Sequence, residues 1–127
     1  MLTLKRLPEQ YAIWQLPQNA PVPEIPIGVF AAVLRSPNEL SGVCPAAWVP
    51  TGATIDPAWW CLQFVGPFDL TLTGIMVQIA VPLAQAEVPI FTLATYNTDY
   101  ILVPQARYAD AHTAITATGH RIVEEAV

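Results

Sequence analysis

The residues best placed to do chemistry lie in one stretch, Gly66-Pro67-Phe68-Asp69-Leu70-Thr71-Leu72-Thr73-Gly74-Ile75, where an apolar strand gives way to an amphipathic helix. Backbone N–H groups at a helix start lack intrahelical acceptors and sit at the positive end of the helix dipole, so a turn here can hold a small anion such as a carboxylate. Gly74 takes one side chain out of the approach. The competing reading is an ordinary strand-to-helix loop in which Asp69, Thr71 or Thr73 caps the helix. No other residues form a comparable constellation. Cys44 and Cys61 make neither a CxxC pair nor a cluster with His112 and His120, so metal-ligand spacing is absent and both read as reduced, small apolar residues in strands. No serine or cysteine is spaced from a histidine as a nucleophile from its base, which argues against an enzyme. His112 falls on an apolar helical stripe, where a satisfied, partly buried histidine is expected. His120 follows a helix-ending glycine and reads as surface, and Glu87, Glu124 and Glu125 read as solvated charge. Trp48, Trp59 and Trp60 suit core or subunit-interface packing better than an aromatic binding wall.

The 127 residues, 54% of them hydrophobic, are enough for one domain or two small subdomains with a real core. Charged residues make up only 12%, and the net charge of −5 comes from scattered acids with no basic cluster. Nucleic acid is therefore not an expected partner. Lys5 and Arg6 are followed by Leu7-Pro8-Glu9-Gln10 rather than by the apolar run of a signal peptide. The most apolar segment, residues 75–83, is far shorter than a membrane span. These features point to a cytoplasmic protein. So apolar a chain has little polar material to coat a small domain, so some apolar surface is expected to meet another subunit.

The elements that must position the turn divide by texture near Asp56-Pro57. Nine of the thirteen prolines fall at or before Pro57, where fixed φ and missing donors exclude long helices and favour strands joined by turns. Residues 2–7 and 11–16 read as two short strands around a tight Pro8-Glu9-Gln10 turn, and 29–35 and 40–44 as two more. Ser36-Pro37-Asn38-Glu39 has the pattern of a capped helical turn, and residues 45–50 of a second. After Pro57, residues 59–65 suit a strand. Leu72, Ile75, Met76, Ile79 and Leu83 recur at helical spacing, giving a helix over 71–86 that Pro82 should kink. Residues 90–96 and 99–103 read as strands joined by Asn97-Thr98. Pro104 opens a second helix with a stripe of Tyr108, Ala111, His112 and Ile115, Gly119 stops it, and residues 121–124 can form a last strand. The order β-α-β-β-α-β is that of an α+β, ferredoxin-like unit with two helices on one face of a four-stranded antiparallel sheet. This divides the chain into a strand-rich part, 1–57, and the complete unit, 58–127.

The segment from Cys61 to Val103 resembles the ACT domain, a small regulatory module that binds amino acids. The likeness is carried by the helix start "TGI", the kink "PLAQA" and the strands "IFTLATY" and "TDYILV". It is greatest to the small bacterial ACT proteins related to the CASTOR arginine sensors and to aspartate kinase regulatory domains. In that branch the first half, here "LKRLPEQYAIWQL" and "ELSGVCP", is an abbreviated ACT-like subdomain. The resemblance implies a binding module without catalysis or cofactor, its ligand held at a subunit or subdomain interface. The ligand's carboxylate would lie on the turn formed by Asp69, Leu70, Thr71, Leu72, Thr73, Gly74 and Ile75. Thr95, Asn97, Thr98 and Asp99 would form the facing polar edge, with Asp99 holding the ammonium; Asp99 reads equally well as a residue that satisfies the backbone of a hairpin turn. CASTOR proteins carry more ACT units in one chain, so a comparable cleft here calls for a second subunit. The resemblance implies a free amino acid as partner, a homodimer or larger assembly, and an unidentified protein target. The alternative is an ACT-fold dimerisation or interaction module that binds no ligand.

Overall fold

A segment that contains a single proline forms one continuous strand, β1 (Thr3–Leu16), in the computed structural model, which describes residues 1–124. The two short strands and tight turn expected from Pro8-Glu9-Gln10 are not present. Proline is tolerated in a strand where its missing N–H would have no ladder partner. Thr3–Arg6 pairs in parallel with one strand and Tyr11–Leu16 antiparallel with another, and Pro8 lies in the interval between the two pairings.

The chain forms two compact units, Glu9–Trp59 and Met1–Pro8 with Trp60–Val127, so the first eight residues pack with the later part of the sequence. In the Glu9–Trp59 unit, β2 (Ala32–Arg35) and β3 (Leu40–Pro45) form an antiparallel hairpin, and β3 pairs on its other side with the later half of β1. Ser36 does not begin a helical turn there. Its hydroxyl accepts from the N–H groups of Asn38 and Glu39, each at 3.2 Å, closing the hairpin, while the Glu39 carboxylate accepts from Ser41 Oγ at 2.6 Å. Trp14, Leu40 and Cys44 form the core of this unit. A short 3₁₀ turn, Ala46–Trp48, follows β3 where a turn was expected. Arg35 ties down the proline-rich segment by donating to the Gln18 and Ala20 carbonyls.

The β-α-β-β-α-β series is β4 (Thr54–Phe64), which enters the other unit at Trp60, followed within that unit by α1 (Ile75–Gln85), β5 (Phe91–Ala94), β6 (Asp99–Pro104), α2 (Tyr108–Ala117) and β7 (Arg121–Glu124). Here β1, β4, β6 and β5 lie side by side, and β7 adds to the outer edge of β1. The fold is α+β and ferredoxin-like, as the element order implied. Its last strand pairs in parallel with the first residues of the chain, from Thr3↔Arg121 to Arg6↔Glu124. His120 helps to set that register. Its Nδ1 accepts from the Leu2 N–H at 2.9 Å, so it is a half-buried structural residue rather than a plain surface one.

Helical spacing correctly placed Ile79 and Leu83 in the core, where they pack with Leu62, Phe64, Ile101 and Val103. Ile75 and Met76 are half-buried, whereas Leu72 is 53% exposed because α1 begins only at Ile75. The helix runs through Pro82 and ends in bonds from the Ala86 N–H to the Pro82 carbonyl and from the Val88 N–H to the Leu83 carbonyl. Arg107 closes this end, donating to the Glu87 and Ala86 carbonyls and pairing with Asp110 at 3.0 Å. A cation at a helix C-terminus satisfies carbonyls that lack intrahelical donors. In α2, Ala111 and Ile115 are fully buried, and the His112 ring packs edge-on against Tyr108. Cys44 and Cys61 are both free and buried in strands, and burial pushes both thiols up in pKa.

Candidate ligand-binding site

The stretch after β4 folds as a closed turn followed by the helix. Asp69 Oδ1 accepts from the Thr71 N–H at 2.9 Å and from Thr71 Oγ1 at 2.7 Å, while the Asp69 carbonyl accepts from the Leu72 N–H at 2.9 Å. These bonds consume the local donors and stop the helix from starting at residue 71. Gly74 then adopts φ 81°, a left-handed conformation open to glycine without steric cost, and α1 begins at Ile75. None of Asp69, Thr71 and Thr73 caps the helix, which has no side-chain cap and no acid in its first turn. Its first N–H groups therefore have neither an intrahelical acceptor nor a side-chain one. Thr71's amide and hydroxyl hold the Asp69 carboxyl below the ordinary carboxylate range, so its charge persists at the rim.

The facing element is the β5–β6 hairpin, in register from Phe91↔Leu102 to Ala94↔Asp99. Its two-residue tip is Tyr96-Asn97, one position earlier than the Asn97-Thr98 expected. The Thr95 N–H donates to the Thr98 carbonyl at 2.8 Å, and Thr95 Oγ1 also bonds that carbonyl. Thr98 is buried, and its hydroxyl donates to the Phe64 carbonyl at 2.6 Å, which anchors the tip to β4. The turn and the hairpin are joined directly, because the Phe68 N–H donates to the Asn97 carbonyl at 2.7 Å.

Together they enclose an open concavity of about 180 Å³. Asp69, Leu70, Leu72 and Ile75 line it from the turn, and Thr95, Asn97, Thr98 and Asp99 from the hairpin. Thr71, Thr73 and Gly74 do not line it. Phe68, Ala94 and Tyr96 also line it and were not singled out from sequence. Tyr96, between two expected residues and aromatic at a hairpin tip, carried the signal that could have found it. The Asp99 carboxylate has no hydrogen-bond or ion-pair partner among the described residues, so the reading of Asp99 as a satisfier of local backbone is not what the geometry shows. A second concavity, of about 380 Å³ and lined by Met76, Thr92 and Leu93, shares Ala94 and Asp99 with the first.

A second cluster of polar groups lies away from this site, and within it the buried Arg6 Nε has no hydrogen-bond partner among the described residues. The Arg6 guanidinium stands 4.1 Å from the Trp60 ring centroid and 5.3 Å from that of Tyr108, and its Nη1 is 3.2 Å from Glu124 Oε2. The Tyr108 hydroxyl donates to the same oxygen at 2.9 Å. Glu124 is thus a tether for β7, not the solvated charge expected; Glu125 lies outside the described residues. Burial, then the Glu124 bond and charge, push the Tyr108 phenol up to about 12. This raised pKa favours the neutral phenol, so its stabilising effect is complete below the ordinary value near 10 and is lost as pH rises through about 12. Ultraviolet titration should show one tyrosine ionising near 12, and Glu124→Gln should lower that value while burial keeps it above 10. Ionisation at the ordinary value in the folded protein would contradict this.

Among the described residues no group of three or more metal-ligating side chains comes together, and no helix is long and apolar enough to cross a membrane. The ACT domain family matches residues 54–117. Among solved structures, the protein Atu0741 from Agobacterium tumefaciens is 30% identical, with 99% of this chain and 95% of that one covered and a TM-score of 0.91. VC0802 from Vibrio cholerae, described as a possible transport protein, is 17% identical over 92% of this chain and 89% of its own, with a TM-score of 0.68. The ligand-free regulatory subunit of aspartate kinase from Thermus thermophilus is 12% identical over 87% of this chain and 93% of its own, with a TM-score of 0.58. These last two likenesses are of fold. No curated protein matches. Residues 54–117 carry both the family match and all the lining of the concavity, and the chain belongs to the ACT domain family.

Proposed function

We propose that this ACT protein is a regulatory module that binds a free amino acid in the concavity between the residue 68–75 turn and the β5–β6 hairpin. The observation that carries this reading is the unpartnered Asp99 carboxylate, which lines the same concavity as the residues leading into the uncapped start of α1. An amino acid is the smallest ligand with a group for each: an ammonium for Asp99 and a carboxylate for unsatisfied N–H groups at a helix start. The exposed apolar rim, with Leu70 67% and Tyr96 79% exposed, and Val77 and Val81 on the outer face of α1, support closure of the site by a second copy of the chain. Ligand binding at such an interface shifts the dimer equilibrium or the affinity for a protein target.

Calorimetry with the common amino acids tests the reading, and Asp99→Asn should weaken binding about 10- to 100-fold through loss of a charge-assisted hydrogen bond. The fold should be unaffected, since no described residue depends on that carboxylate. Binding that survives Asp99→Asn unchanged would move the site elsewhere. Failure of every amino acid at millimolar concentration would leave the dimerisation or interaction module as the better account.

A further inference from the structure

We infer that Thr98 is a positioning residue of this site: its hydroxyl does not meet the ligand but fastens the hairpin tip to β4, and so fixes where the next residue, Asp99, presents its carboxylate. The inference rests on the amino-acid reading and deepens it. Among the described residues Thr98 is the only serine or threonine that is buried, at 8% exposure. A buried hydroxyl without a partner is destabilising, and this one finds its partner outside its own hairpin, donating to the Phe64 carbonyl at 2.6 Å.

Further along the chain from Phe64, the Phe68 N–H donates to the Asn97 carbonyl at 2.7 Å. Two bonds therefore run in opposite directions between the same two segments, one from Thr98 to Phe64 and one from Phe68 to Asn97. Phe68 belongs to one wall of the concavity and Asn97 to the other, so the pair acts as a clasp across it. Residues 95–98 lie beyond the last β5–β6 pair, Ala94↔Asp99. The bonds between Thr95 and Thr98 stay within the turn; they shape the tip without tying it to β4. With the Thr98 hydroxyl removed, the tip keeps its shape and loses half of the clasp, and the Asp99 carboxylate is no longer held at one place in the lining.

Thr98→Val keeps the size of the side chain and removes the hydroxyl, whereas Thr98→Ser keeps the hydroxyl and drops the methyl. In calorimetry with a panel of the common L-amino acids, Thr98→Val should weaken whichever of them binds the wild type by about 5- to 10-fold, the effect of one hydrogen bond, and Thr98→Ser should recover most of that loss. In an Asp99→Asn background Thr98→Val should weaken binding by less than about 2-fold further, because it acts through that carboxylate. Hydrogen exchange at the Phe68 amide reads the clasp without any ligand, and should be about 10-fold faster in Thr98→Val and near the wild-type rate in Thr98→Ser. If both variants weaken binding equally, if the Phe68 rate does not change, or if the Asp99→Asn and Thr98→Val effects multiply in full, the hydroxyl does not position Asp99 and the inference falls. Amino-acid binding that Thr98→Val leaves untouched also overturns it, while the amino-acid reading stands. If no amino acid binds the wild type, that reading fails and the positioning role fails with it.

Discussion

Replacing Gly42 by alanine is expected to destabilise the protein by about 3 kcal/mol, at the upper end of what overpacking costs. Gly42 sits on β3 opposite Trp14 of β1 and Val33 of β2. A Cβ there would collide with the Trp14 indole at Cζ2 and Cε2 and stand 2.6 Å from the Ala32 carbonyl oxygen. Neither neighbour can give way cheaply, since Trp14 is buried in the core of its unit and the carbonyl is backbone within the hairpin. Thermal unfolding should show a Tm lower by about 10 °C. Gly52→Ala is the control: its φ is 82° with nothing within 4 Å, so only backbone strain of about 1 kcal/mol is added. Equal losses from the two changes would remove the case for jamming at Trp14.

Leu83→Ala should cost about 3 to 4 kcal/mol and weaken ligand binding with it. The helix α1 has no side-chain cap and contains Pro82, which lacks the N–H that would bond the Gln78 carbonyl. Its position therefore depends on burial of Ile79 and Leu83 against Phe64, Ile101 and Val103. Losing the leucine leaves a cavity under the helix whose first residue, Ile75, lines the proposed site. Denaturant unfolding gives the stability change and calorimetry the binding change. Gln85→Ala, at an exposed position of the same helix, should stay within about 0.5 kcal/mol of the parent. A Leu83→Ala loss no larger than that would mean that core burial does not hold α1.

Features set by neighbours in the chain were legible in the sequence. The end of α2 follows from Gly119, which accepts the left-handed turn at φ 92°, but its start does not follow from Pro104, which ends β6 and is followed by a 3₁₀ turn, Gln105–Arg107, before the helix begins at Tyr108. The β-α-β-β-α-β order follows from periods of 3.6 and 2, which are properties of a dozen adjacent residues. Even the turn and hairpin that form the concavity were identifiable, since both are short local structures with their own polar residues.

Pairings between distant residues could be decided only by the tertiary structure. Pro8 reads locally as a turn, yet it lies within a strand because β7, more than a hundred residues later, and β3 occupy the stretches on either side of it. Leu72 has helical spacing, but the Asp69 and Thr71 bonds spend the donors that a helix there would use. Thr98, expected on the polar edge facing the turn, spends its hydroxyl on the Phe64 carbonyl, which folding brings within 2.6 Å of it. Asp99, equally suited to ligand or backbone by sequence, faces the concavity without a partner because no cation from another element reaches it. A side chain's local options are written in the sequence, but which of them is left over for a ligand depends on contacts between segments that only the folded chain brings together.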